Sequence, residues 1–337
     1  MFIHKKDLLE KAIAEYGFDA STLCIQKELN PNNSHGDIHY QIRVNERLYS
    51  ARFIAEQRYE SEAFVKLSGE VIKEQIQFSQ YLRNSGIPFM RHVPTGFGEA
   101  YVVLNELDGV WRFVLFEWMQ GTHITCCTVE VAERFGAFAR NLHDISSTYE
   151  TVTLPKESHM KGYNQFYKLL QNYVEATPLS PTTINLLKQY FQQIEYHLDQ
   201  AKTETYDFIV QSDLNPLNIL WNKAVEITGV VDFESITYTD RVEGLAWLVK
   251  WYSRTDGVSS HNMSPVLARA ILRGYRAEEL LTTKELKRLP SLLWLTGCLN
   301  WNFTASTVEI LKKNDEFLLE DHLNKYIKRG NTLLSLL

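Results

Sequence analysis

Cysteine is scarce in this chain. Its 337 residues contain four, at positions 24, 126, 127 and 298, and none falls in a CxxC or zinc-knuckle spacing. The adjacent pair Cys126-Cys127 has no neighbouring ligand to complete a metal site. Four reduced thiols are expected, which suits a cytoplasmic protein. Positive charge is also short: 35 Lys and Arg against 41 Asp and Glu give a net charge of −6. A basic footprint for DNA or RNA is absent, so no nucleic-acid partner is expected. The longest apolar runs, 111–119 and 289–299, are too short to span a bilayer. The first residues put charges where an export signal needs an apolar stretch, so neither export nor a membrane partner is expected. Sixteen glycines and nine prolines are scattered without a period, which excludes repeats and flexible linkers. There is no G-x-G-x-x-G string.

What is present is ordinary folded composition, 45% hydrophobic and 23% charged, in a chain long enough for two lobes. Residues 6–16 place Leu8, Leu9, Ala12, Ile13 and Tyr16 on one helical face and stop at Gly17. Ile38, Tyr40, Ile42 and Val44 then alternate with polar residues, as do parts of 48–54. With Asn45-Glu46 between them, this predicts a hairpin. A helical stripe follows over 69–84, then short strands near 99–104 and 111–116. From Thr128, a helix cap, the pattern turns helical, with further helices over 163–176 and 181–201. A β-rich island covers 206–210, 217–221 and 226–231, and helices resume after Asp240.

That island carries the chemistry. An apolar strand leads into Gln211-Ser212-Asp213, Asn218 follows five residues later, and a second apolar strand delivers Asp232-Phe233-Glu234. Phosphoryl transfer needs one carboxylate to orient a hydroxyl and take its proton. It also needs a second carboxylate and a neutral oxygen to hold Mg2+ against nucleotide phosphates. Between positions 199 and 243, nine acids stand against three bases. The excess is either a solvated face or a draw for a cationic, amine-bearing acceptor.

These strings resemble the catalytic and metal loops of the protein-kinase-like fold in its small-molecule branch. That branch holds the aminoglycoside phosphotransferase and choline kinase-like families, related to type II homoserine kinases and bacterial stress-response kinases. The family motif reads H-G-D-x-x-x-x-N, then D-x-[ED]; here Gln211-Ser212 replaces His-Gly. The resemblance implies an α+β, two-lobed fold. A small antiparallel β-rich N-terminal lobe would cover residues 1–117, and a larger, mainly helical C-terminal lobe residues 118–337. It implies Asp213 as the catalytic aspartate, with Asn218 and Asp232 as Mg2+ ligands. Arg52 stands on the strand that usually bears a phosphate-binding lysine, and Glu74 is the helix glutamate expected to pair with it. Ser34 and Gly36 fall in the phosphate-covering turn. Glu117 and Met119 match the hinge whose backbone would bond adenine. Residues 135–143 resemble the helix after the hinge, with His143 as a packing residue. Trp247, Trp251, Trp294 and Trp301 lie where acceptors of this family dock. The function implied is ATP- and Mg2+-dependent phosphorylation of a hydroxyl on a small polar molecule. A protein serine or threonine acceptor, and a non-catalytic nucleotide-binding scaffold, are the alternatives left open.

Overall fold

The computed structural model describes residues 2–29, 37–55, 68–106, 109–151, 153–154, 156, 158–203 and 208–337. Ser34 and Gly36 lie outside them. The chain divides into two compact units. One comprises Met1–Gly121, Thr151–Thr153 and Thr228–Glu234; the other comprises Thr122–Glu150, Leu154–Ile227 and Ser235–Leu337.

The first unit opens with α1 (Phe2–Ala14), followed by β1 (Cys24–Leu29), β2 (Ile38–Val44), β3 (Arg47–Ala55) and α2 (Gly69–Asn84). It continues with β4 (His92–Val93), β5 (Val102–Glu106) and β6 (Gly109–Glu117). All pairings are antiparallel, in the order β1-β2-β3-β6-β4, with β5 also on β6. The β2–β3 turn forms at Asn45-Glu46, both with positive φ (46° and 64°). Asparagine tolerates that conformation, and the twist it imposes matches the strands. The turn fixes the register at Val44 opposite Arg47 and so puts Arg52 opposite His39. Leu8, Leu9, Ala12, Ile13 and Tyr16 of α1 are all buried in one core with Ile42, Phe53 and Phe113. The Tyr16 hydroxyl donates to the Phe113 carbonyl at 3.1 Å, which locks that helical face to the sheet. Strand β1 was not expected from the sequence. Its residues are mostly exposed, so no apolar alternation marks it.

Helix α2 has the predicted limits. Ser68 caps it by accepting the Val71 N–H at 3.2 Å. Residues 228–234 return to this unit, where the Val230 carbonyl accepts the Met90 N–H and its N–H donates to Pro88. Phe233 packs on Phe116 with ring centroids 4.9 Å apart. That apolar anchor sits between the carboxylates of Asp232 and Glu234.

The second unit holds α3 (Val129–Ser146), α4 (His159–Ala176), α5 (Pro181–Ala201), β7 (Phe208–Gln211) and β8 (Ile219–Trp221). Strand β9 (Ile227–Val230) is shared between the units in sequence, and β10 (Ile236–Thr239) follows. Then come α6 (Arg241–Tyr252), α7 (Pro265–Tyr275), α8 (Ala277–Leu280), α9 (Thr283–Leu286), α10 (Leu289–Cys298), α11 (Trp301–Lys313) and α12 (Glu316–Leu334). Strand β7 pairs antiparallel with β10, with Gln211 opposite Ile236. Helices α3 and α7 approach closely through Gly136 and Gly274. A Cβ at either would overlap the facing helix backbone. His143 of α3 is buried as a packing residue, its Nδ1 2.8 Å from the Tyr275 hydroxyl. Burial and the nearby Arg241 charge hold its pKa down at about 3, so it stays neutral. Among the described residues, no helix is long and apolar enough to cross a membrane.

Candidate active site

In the first unit, Arg52 is the centre of a charge cluster. Its Nε donates to Asp37 Oδ2 at 3.0 Å, Nη1 to Asp232 Oδ1 at 3.4 Å and Nη2 to Glu234 Oε2 at 3.1 Å. The Arg52 side chain is 16% exposed, and those of Asp37 and Glu234 are 2% and 10% exposed. A planar fork with separate N–H groups suits three carboxylates at once; a single ammonium does not. Burial alone would lower the Arg52 pKa, but Glu234, Asp232 and Asp37 outweigh it and raise it above its ordinary value. His39, opposite Arg52, is kept neutral by burial and by the guanidinium charge, its pKa near 3.

The expected Arg52–Glu74 pair does not form. Glu74 is 2% exposed and accepts hydrogen bonds from the Thr151 hydroxyl and, at 2.9 Å, from the Thr153 N–H. It fastens Thr151 and Thr153 to α2, while Arg52 is taken by the carboxylates of Asp37, Asp232 and Glu234. Asp37 and Glu234 are the partners sequence reasoning missed. Hairpin counting could have found Asp37. It lies two residues before His39, hence diagonal to Arg52 on the same face of the sheet. Glu234 carried no such signal, because it reaches Arg52 across 182 positions.

At the end of β6, the Glu117 N–H donates to the Arg91 carbonyl at 2.8 Å and the Trp118 N–H to Leu48 at 3.1 Å. The backbone N–H and carbonyl of Met119 have no partner among the described residues. A free donor and acceptor side by side are what an adenine edge requires.

In the second unit, β7 delivers Asp213 to a loop built to hold it. Gln211 Oε1 accepts the Asp213 N–H at 2.7 Å. Ser212 donates twice to the Ser235 carbonyl, from N at 3.0 Å and from Oγ at 2.6 Å. Asn215 Nδ2 donates to Asp213 Oδ1 at 2.9 Å, and Asn218 Nδ2 to Asp213 Oδ2 at 3.3 Å and to its carbonyl at 2.7 Å. Both carboxylate oxygens are therefore oriented by neutral amides, which leaves the charge itself uncompensated by these bonds. Gln211 braces the loop through that accepted N–H. Ser212 does not have a positive φ, so the loop needs no glycine there.

A divalent cation fits the chemistry of the donors. Asn218 spends its amide N–H groups on Asp213, which leaves Oδ1 without a partner among the described residues. Around Arg52, the carboxylates of Asp37, Asp232 and Glu234 gather on one guanidinium, and carboxylate oxygens are the donors that magnesium prefers. Among the described residues, no three His, Cys, Asp or Glu side chains gather into a ready-made metal cage. Magnesium takes few protein ligands and completes its shell with water and phosphate oxygens. Asp232 holds a left-handed backbone (φ 72°), as does Ser235 (φ 61°).

An antiparallel sheet with two helices, a mainly helical second unit and a braced Asp-x-x-x-x-Asn loop define a two-lobed α+β protein of the kinase-like fold. The sequence profile of the APH phosphotransferase enzyme family matches residues 51–286. The chain belongs to that family. No curated protein matches it. Similar solved structures include the amicoumacin kinase hAmiN in complex with AMP-PNP, Ca2+ and Ami. That structure is 16% identical, with a TM-score of 0.66 over 98% of this chain and 93% of that one. A microcompartment-associated aminopropanol kinase is 17% identical, with a TM-score of 0.64 over 95% and 98%. An aminoglycoside phosphotransferase from Alicyclobacillus acidocaldarius is 12% identical, with a TM-score of 0.62 over 97% and 94%. At such identities the likeness is one of fold.

Proposed function

We propose that this protein transfers the γ-phosphoryl group of ATP to a hydroxyl of a small polar molecule. The acceptor oxygen forms the new bond to phosphorus, the bond to the bridging oxygen breaks to leave ADP, and the hydroxyl proton passes to Asp213. The observation that carries this reading is the Asp213 loop. A carboxylate oriented by Asn215 and Asn218 on a backbone pinned by Gln211 and Ser212 is a positioned base. Asn218 and Asp232 are assigned to hold Mg2+, which when bound offsets phosphate charge. Arg52 is assigned to the phosphates and the backbone of Glu117 and Met119 to adenine. Positioning and electrostatics supply the rate, because the transferred group needs little covalent help. Membership of the phosphotransferase family supports the reaction class, and small-molecule kinases among the structural relatives support a small acceptor.

The test is Asp213→Asn, which keeps shape and hydrogen bonding but removes the base. Turnover of ATP with a responsive acceptor should fall by roughly 100- to 10,000-fold, while the melting temperature and ATP affinity hold. Parallel loss of ATP binding and stability would make Asp213 a structural residue. Equal turnover in both proteins would remove it from the chemistry.

A further inference from the structure

The acidic run that suggested an amine-bearing acceptor is largely engaged within the protein. Asp240 caps α6 and binds Arg288 at 2.7 Å, Asp199 binds Lys202 at 2.8 Å, Glu226 accepts from Asn222 at 2.8 Å, and Asp232 and Glu234 meet Arg52. Buried positive charge without an acidic partner also lies among the described residues of the second unit. Lys250, on α6, is 3% exposed and Arg254, just beyond that helix, is 6% exposed. Their own burial, and after it the charge of Arg329 on α12, push Lys250 well below the ordinary lysine pKa and Arg254 down to about 10.

None of the three cations has an ion pair among the described residues. Lys250 Nζ has one hydrogen bond, to the Thr296 carbonyl at 3.1 Å, and lies 3.5 Å from the Trp247 ring centroid and 5.0 Å from that of Trp251. The Arg254 guanidinium stacks 4.3 Å from the Trp251 centroid. The Nε atoms of Arg254 and Arg329 are buried with no hydrogen-bond partner. A cluster that served packing alone would pair its cations, since a buried, unmatched guanidinium is costly. The carboxylate whose field reaches this cluster is that of Asp213, which acts on Lys250 and on the buried Tyr252.

We propose that the acceptor carries an oxyanion that docks among Lys250, Arg254 and Arg329, which turns its hydroxyl to Asp213. This rests on the kinase reading for the word acceptor; the anion site itself rests on the cluster. A guanidinium fork takes a carboxylate or a phosphate in two parallel bonds, and the indoles of Trp247 and Trp251 hold the Lys250 and Arg254 heads in place. An amino acid bearing a hydroxyl, or a hydroxylated phosphate ester, meets the description. A plain amino alcohol does not.

Binding is measured on the full chain without nucleotide, by calorimetry and melting shift, with matched probes. Serine against ethanolamine isolates the carboxylate, and glycerol 3-phosphate against glycerol isolates the phosphate. At least one anionic member should bind about tenfold or more tighter than its partner. Arg254→Gln and Arg329→Gln should each erase most of that preference while ATP affinity stays. Whichever pair responds identifies the anion. No preference in either pair overturns the proposal, as does a preference that survives in the Arg254→Gln/Arg329→Gln double variant. If either arginine variant fails to fold, the wild-type comparison still decides. Anion preference without any ATP turnover would sink the kinase reading and leave the anion site standing. ATP turnover on neutral acceptors alone would do the reverse.

Discussion

Replacing Arg52 by methionine keeps the aliphatic bulk and removes the guanidinium that Asp37, Asp232 and Glu234 share. Asp37 is almost sealed from water and Glu234 nearly so, with side chains 2% and 10% exposed. Asp37 keeps a weak bond from the Ala55 N–H at 3.3 Å, which does not offset a lost charge. Removing one partner of a buried ion pair typically costs about 3–5 kcal/mol. Relief of the desolvation of Arg52 itself, and the 28% exposure of Asp232, argue for the lower end, about 3 kcal/mol. The first unit is mostly Met1–Gly121. At about 2.1 cal/mol/K per residue its unfolding entropy near the midpoint is about 0.3 kcal/mol/K. The melting temperature of that unit should fall by about 10 °C. Arg52→Lys should fall between, because one ammonium cannot reproduce three separately directed N–H groups. Circular dichroism and urea melts of the three proteins test this at one pH and salt. An Arg52→Met protein melting within about 2 °C of wild type would show that the four groups do not form a unit.

Two further perturbations probe the second unit. Burial first, and Asp240 second, raise the Glu243 pKa from 4.5 to about 8. The folded state therefore holds that proton more firmly than the unfolded chain. The stabilisation is complete below about pH 4.5 and is lost as pH rises towards 8. Glu243→Gln, which can still accept from Thr239, should gain on wild type across that window by a few kcal/mol (about 4 at most). A melting-temperature gap that does not widen from pH 5 to pH 9 would refute it. Gly274→Ala should destabilise although alanine favours helix, because the new methyl group meets the Glu133 carbonyl of α3. The overlap costs about 1–3 kcal/mol against a propensity gain of about 1. A rise in melting temperature would mean that α3 and α7 do not pack this closely.

Local chemistry made much of this legible. The Asn45-Glu46 turn, the limits of α2 and α5 and the Thr128 cap each follow from a few neighbouring residues, and the structure has them. The Asp213 loop was legible because its parts lie within eight positions of one another. Strand β10 was not, because its four residues carry no pattern apart from their pairing with β7. Side-chain partnerships across long separations were the other gap. Arg52 chooses among carboxylates at 37, 74, 232 and 234 according to depth and direction, which no spacing rule encodes. Lys250 sits in an apolar helix beside two tryptophans. That it forms no ion pair among the described residues, with the charge of Arg329 acting on it from α12, became visible only in the structure.

The left-handed turn at Asp232 separates two demands on one position. Among residues with a side chain, aspartate bears such a backbone comparatively well, yet glycine bears it at no steric cost. Asp232→Gly is thus a charge deletion that should ease the loop into its native conformation. The stability that such a variant loses then combines the missing carboxylate, which faces Arg52 and accepts the Glu234 N–H, with the small entropic cost of a freer unfolded chain. The position would accept a smaller residue on conformational grounds. What holds aspartate there is the work of its oxygens.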